Sequence, residues 1–320
     1  MEEKQLKPWH GILTFIVMMV IFLAVAIPVQ GKLGLIGVGI TELLLLVMAV
    51  VAAKLFRQDL KEVFPVRKPK LREVFGTLVF WVGSFQLCMV ATLLMTVLFP
   101  EEMSATSSGL NEVVTSRSVW LSIFIVSLMP AVCEEAVHRG FILHTFRGVK
   151  REWVTVLVMG IIFGVFHTDP MRFLTTAILG ACITWVMLKT GNMVLPMLFH
   201  AVNNLVPILI SVVMSSAAGL LEKVAEQTGQ TAGVLEAAEF DSRMYLVALG
   251  YYLFISAIAP ILLLGGTTLL KPKGEKLKTT YLIIAVVLGA VLAVSGIAII
   301  AANFTYILEM QGLSLEDLGL

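Results

Sequence analysis

"GILTFIVMMVIFLAVAIPV", Gly11 to Val29, is a run of nineteen residues without one ionisable side chain. At about 1.5 Å per residue, a helix of that length reaches nearly across a bilayer core of about 30 Å. The rest of the chain follows suit. Of its 320 residues 58% are hydrophobic and 14% charged, with a mean hydropathy of +0.94. A soluble domain is nearer half apolar and about a quarter charged. The fold class that follows is all-α, a polytopic bundle of membrane helices forming a single integral-membrane domain over 1–320. A net charge of +1 gives no reason to expect nucleic acid as a partner; the lipid bilayer is the expected surrounding. Cys88, Cys133 and Cys182 all fall in apolar runs. Their odd number and setting argue against a disulfide framework and a cysteine-rich metal site.

Windows of about 19 residues place about nine spans, with eight as the alternative count, near 11–29, 33–53, 74–99, 118–146, 153–168, 171–188, 192–215, 244–270 and 279–303. Lys4, Lys7 and the small residues Ala24-Val25-Ala26 also resemble a signal peptide; an uncleaved first helix is the expectation. Orientation comes from the cations. Seven of them crowd between Lys54 and Arg72, and alternation puts Arg147, Lys150, Arg151, Lys189 and the lysines of 271–278 on the same side. With Lys4 and Lys7 that side holds 17 of the 23 Lys and Arg residues, the other side 5, and Arg139 lies within a span. The basic side is expected to be cytoplasmic, N-terminus included. Few long loops and no organellar retention signal favour a bacterial plasma membrane. The external segment 216–242 mixes Ala, Leu and Glu at helical spacing, as a short surface helix pair, a lid or a plain linker would.

Ionisable groups at membrane depth are expensive and mark cavities or function. Here they concentrate in "CEEAVHRGF" (Cys133–Phe141), "FGVFHTD" (Phe163–Asp169) and "HAVNN" (His200–Asn204), with Glu42 far away in sequence. Residues four apart share a helix face. Glu135 and Arg139 can therefore pair, as can Glu134 and His138; Phe163 and His167 share a face, and so do His200 and Asn204, with Asn203 beside them. Glu134 and Glu135 diverge by about 100°. One carboxyl is thus free to face a dry cavity as a general base while its neighbour is locked to arginine. Rise per residue puts Glu134 roughly 20 Å, His167 roughly 22 Å, His200 roughly 14 Å and Asn204 roughly 20 Å from the cytoplasmic helix ends, so the four can share one depth.

The ordered set Glu134-Glu135-x-x-x-Arg139, Phe163-x-x-x-His167 and His200-x-x-x-Asn204 resembles the CPBP family, the type II CAAX prenyl proteases and bacteriocin-processing (Abi) intramembrane endopeptidases. The resemblance covers roughly residues 118–208, with helices 11–99 and 244–303 accessory to that core. It implies that Glu134, helped by His167, activates a water against a peptide carbonyl. His200 and Asn204 would hydrogen-bond the resulting oxyanion, and Glu135 with Arg139 would position the site. His138 and His144 fall outside the family pattern. No metal or other cofactor is implied. The implied substrate is a membrane-associated peptide or protein, lipidated or not: eukaryotic members cut prenylated tails, and bacterial ones resemble peptide processors or immunity factors.

Three other readings compete. Glu134, His167 and His200, with His138 in reserve, would supply the three ligands and open position of a catalytic zinc, although no HExxH is present. Glu42 together with Pro130, Pro196, Pro207 and Pro260 would suit a transporter with broken helices, but no repeat halves accompany them. A non-enzymatic scaffold or immunity protein would keep the fold without the chemistry.

Overall fold

A computed structural model describes residues 6–115, 117–228, 242–272, 274–275 and 278–312. Its helices, in order, are α1 (Pro8–Leu33), α2 (Leu35–Leu55), α3 (Leu60–Val63), α4 (Leu71–Leu98), α5 (Pro100–Thr115), α6 (Val119–Ile142), α7 (Glu152–Phe166), α8 (Pro170–Thr190), α9 (Val194–Thr228), α10 (Ser242–Leu270), α11 (Thr279–Ala302) and α12 (Phe304–Met310). No strand occurs among the described residues. Eight of these helices are long and apolar enough to cross a membrane. Their outward faces stay apolar: Val20, Val213, Val287 and Val294 are exposed. Helices suit that setting because each satisfies its own backbone hydrogen bonds without water.

The ninth expected span is α7, and it is short. Its 15 residues rise only roughly 22 Å, less than the core of a bilayer. The cause is local. The chain reverses through His167, Thr168 and Asp169, and Asp169 caps α8 by accepting a hydrogen bond from the Met171 N–H at 2.9 Å. Thr168 takes φ +53°, a left-handed conformation that β-branched residues avoid. His167 therefore sits at a helix end, below the depth a full span would reach.

Close approach of small residues organises the bundle. The α1–α2 hairpin turns at Gly34 (φ +53°), and Gln30 donates to Thr41 across it at 2.8 Å. Then α4 packs on α8 and α10, α7 on α8, and α10 on α11. One apolar core gathers Ala49, Phe141, Ile142 and Met159; a second gathers Phe163, Ile183, Leu195 and Phe199. The polar site described below lies between them.

Helix α6 departs from regular α geometry twice, with π-helical turns over Ile123–Leu128 and Ala136–Ile142. Pro130 accounts for part of the first. It has no N–H to offer the Val126 carbonyl four residues back, and Asn204 of α9 donates its Nδ2–H to that oxygen at 3.1 Å. Ser127 donates to the Ala201 carbonyl at 2.8 Å beside it. A neighbouring helix thus supplies what the proline withholds, as membrane helices require.

The extramembrane segments are more helical than expected. The acidic stretch after α4 forms α5, and α9 runs on through Thr228. Residues 229–241, the remainder of the expected helix pair or lid, lie outside the described residues. The basic segments converge at one end of the bundle: Arg147 meets Glu62 at 2.6 Å, Lys189 meets Glu152 at 2.5 Å, and Arg72 donates to the Thr268 and Lys271 carbonyls at 2.7 Å.

Candidate active site

Two consecutive turns of α6 present Glu134, Glu135, His138 and Arg139, all buried. Arg139 donates Nη1–H to Glu135 Oε1 at 2.9 Å and Nη2–H to the Gly180 carbonyl at 2.7 Å. Its guanidinium carbon stands 4.7 Å from the Phe163 ring centroid. A planar fork serves the three contacts at once, which an ammonium cannot do. The next pairing differs from the expected one. His138 donates Nδ1–H to the Glu134 carbonyl at 2.8 Å instead of meeting its carboxylate. The His138 ring is held edge-on between Phe163 and Phe166, at 5.0 and 4.9 Å.

Helix α9 brings His200 against the pair. A carboxylate oxygen can only accept, so His200 donates Nδ1–H to Glu135 Oε1 at 2.8 Å. This leaves His200 Nε2 turned to Glu134, 3.9 Å from Oε2. That Glu134 oxygen is buried and has no hydrogen-bond partner. Glu134 and Glu135 thus diverge in role: one is anchored twice, the other faces a histidine across a gap.

Phe163 is the aromatic hub. Its ring lies 4.8 Å from that of His167 and 5.7 Å from that of His200, and its carbonyl accepts Nδ1–H of His167 at 2.9 Å. His167 therefore keeps an Nε2 lone pair; its hydrogen bond goes to backbone, not to Glu134. Phe163 keeps its place because Gly180 has no side chain. A Cβ there would lie 2.5 Å from Phe163 Cβ, which no rotamer change relieves. Gly180→Ala is expected to cost about 1–3 kcal/mol through overpacking, read as a lower thermal midpoint of the purified protein, and to disturb the Arg139 bond to the same residue.

Asn204 is engaged by the Val126 carbonyl, and Asn203 Nδ2 approaches Asn204 Oδ1 at 3.5 Å. One N–H of Asn204 remains for another acceptor, since an amide carries two. The structure thus joins Glu134, Glu135, Arg139 and His200 into one cluster, ranges Phe163, His138 and His167 around it, and ties Asn204 to the helix that carries the acids.

Sequence distance concealed one neighbour. Glu42 of α2 is buried, its Oε2 lacks a partner, and it lies within electrostatic reach of Cys133 and Glu134. The available signal is Gly39, one turn earlier, which faces Ile125 and Met129 of α6. Glu42 follows on the same face, one turn along. Among the described residues no three His, Cys, Asp or Glu side chains converge in a metal-holding group. His200 Nδ1 is bound to Glu135 and His167 Nδ1 to the Phe163 carbonyl, which leaves Nε2 open on each ring.

No curated protein and no solved structure matches this chain. Residues 116–206, the segment that carries every side chain of the cluster except Glu42, match the family model of Type II CAAX prenyl endopeptidase Rce1-like.

Proposed function

We propose that this chain is an intramembrane endopeptidase in which Glu134, without a metal, activates water against a peptide bond of a membrane-associated peptide or protein. The observation that carries the proposal is the pairing of a buried, unpartnered Glu134 Oε2 with His200 Nε2 at 3.9 Å, the other nitrogen of His200 being fixed by Glu135. The family match over 116–206 supports peptidase chemistry in the same segment.

The charges explain how the cluster would work. Arg139 and Glu135 cancel, so a neutral site holds one further proton, shared between Glu134 and His200. With that proton on His200, Glu134 is a carboxylate able to take a proton from water, and His200 Nε2–H is a donor. The hydroxide adds to the scissile carbonyl carbon while His200 and the spare Asn204 N–H stabilise the oxygen that becomes negative. The proton held by Glu134 then passes to the leaving amine as the C–N bond breaks. His167, whose Nε2 lone pair remains once Nδ1 is bound to Phe163, would hold the water. Glu42 adds a second buried acid beside Glu134.

Water entry from the basic end is part of this proposal. A cavity of about 450 Å³ opens there among Lys61, His144 and Arg147 and reaches Arg139. The cations gathered at this end support a cytoplasmic assignment for it and for the N-terminus. The proposal is tested by incubating purified wild type and Glu134→Gln with a membrane peptide substrate, with and without a strong chelator. Cleavage by wild type in chelator, lost in Glu134→Gln, is expected; cleavage abolished by chelator and restored by zinc overturns the metal-free mechanism.

A further inference from the structure

Two cavities at the basic end share a wall. One, of about 620 Å³, is a polar chamber lined by Arg67, Lys70, Arg72, Lys189 and Lys271 against the single carboxylate of Glu73. The other, of about 630 Å³, is an apolar slot that starts from the same Lys189 and Lys271 and runs between α7, α8, α10 and α11 past Trp185, Leu263, Ile284 and Leu288. Tyr281 and Trp185 stand in its wall, and Lys189 Nζ lies 4.2 Å over the Trp185 ring. Amphipathic aromatics and snorkelling lysines mark the level where membrane meets water. The junction of chamber and slot is therefore at headgroup depth, with the slot descending into hydrocarbon.

The chamber is not neutralised from within. Arg67 is paired with Glu73, Lys189 with Glu152 and Lys271 with Glu275. Arg72 spends its guanidinium on two backbone carbonyls, and neither it nor Lys70 forms an ion pair among the described residues. Two uncompensated cations facing a cavity attract an anion, and the adjoining slot has room for an apolar tail attached to it. A basic pocket between membrane helices fits an acidic lipid headgroup.

We infer that the chamber and slot together bind one acidic phospholipid of the surrounding bilayer, its phosphate among Lys70, Arg72 and Lys271 and an acyl chain along Trp185, Ile284 and Leu288. The site is separate from the Glu134 cluster, on the face of α8 away from Phe163, and its test needs no cleavage assay.

The purified full chain is equilibrated with equal amounts of phosphatidylglycerol and phosphatidylcholine, and the lipid retained is counted by native mass spectrometry. Wild type is expected to prefer phosphatidylglycerol by at least about fivefold. Lys70→Gln with Lys271→Gln should bring the preference close to one, and Leu288→Trp, at a half-exposed slot position, should lower retention of both lipids. Thermal midpoints close to wild type confirm that these variants are folded. Equal retention of the two lipids by wild type, or an unchanged preference in the lysine variant, overturns the inference. So does loss of the preference in millimolar inorganic phosphate, which would make the chamber a site for free phosphate. Stoichiometric displacement of the phospholipid by a farnesylated peptide also overturns it, by making the slot part of a substrate path.

Discussion

Glu134→Gln is expected to lower the rate of peptide cleavage by about 10³-fold or more while the protein remains folded. The magnitude follows from the role: a positioned general base contributes about 10²–10⁴-fold, and the adjacent carboxylate on α6 is not free to replace this one. Glu135 is bound to both Arg139 and His200, so it cannot swing to the water without releasing them. The fold should survive because Glu134 Oε2 makes no hydrogen bond. An amide of the same shape removes a buried charge, which is costly where it stands, and leaves no partner unsatisfied. The measurement is a turnover rate alongside a thermal midpoint for wild type and Glu134→Gln, with Glu42→Gln as a second buried acid. A Glu134→Gln enzyme within about tenfold of wild type would falsify the base assignment; a variant that is inactive but also unfolded is set aside in favour of Glu134→Asp, which keeps the charge and retracts it by one methylene. Loss of rate in Glu134→Asp with the midpoint retained again points to a positioned base.

Much of this was legible in the sequence, for definite reasons. Apolar runs near 20 residues leave one kind of structure available, so the helices could be placed before any coordinates. The Glu135–Arg139 contact is a consequence of helical spacing alone. Interactions between helices were not legible. That His200 hands its Nδ1–H to Glu135 depends on how α9 crosses α6, and the 65 residues between them carry no sign of it. The expected Glu134–His138 pairing gave way to a bond with the Glu134 carbonyl, an acceptor four residues back that side-chain spacing alone does not rank against the carboxylate. Pro130 did announce a disturbance, but not that Asn204 would answer it. Glu42 was counted among the membrane acids yet set apart, since only the packing of α2 on α6 brings it to Glu134. The extent of α7 was legible, the expected 153–168 lying within two residues of the helix at each end; the Asp169 cap that starts the next helix follows directly.

Arg139→Ala is expected to be the most destabilising single change in the cluster, by about 3–5 kcal/mol, the usual cost of removing one partner from a buried ion pair. Both side chains of the pair are fully buried, so Glu135 would keep its charge with only His200 to balance it. The Gly180 carbonyl would lose its donor as well, and the face of Phe163 would lose the cation above it. Arg139→Lys restores the charge but not the fork, because one ammonium cannot reach Glu135, Gly180 and the Phe163 ring from a single point; it should recover part of the stability and little of the activity. The decisive comparison is the double variant Glu135→Met, Arg139→Met. Replacing both buried charges with apolar groups of similar volume is often neutral or stabilising, so its thermal midpoint should return toward that of wild type. Its activity should not return, because His200 loses the carboxylate that holds Nδ1 and so sets the direction of Nε2 toward Glu134. If the double variant is as unstable as Arg139→Ala, the pair's value lies in packing and not in charge. If it is stable and also cleaves peptide, Glu135 and Arg139 have no part in positioning the histidine.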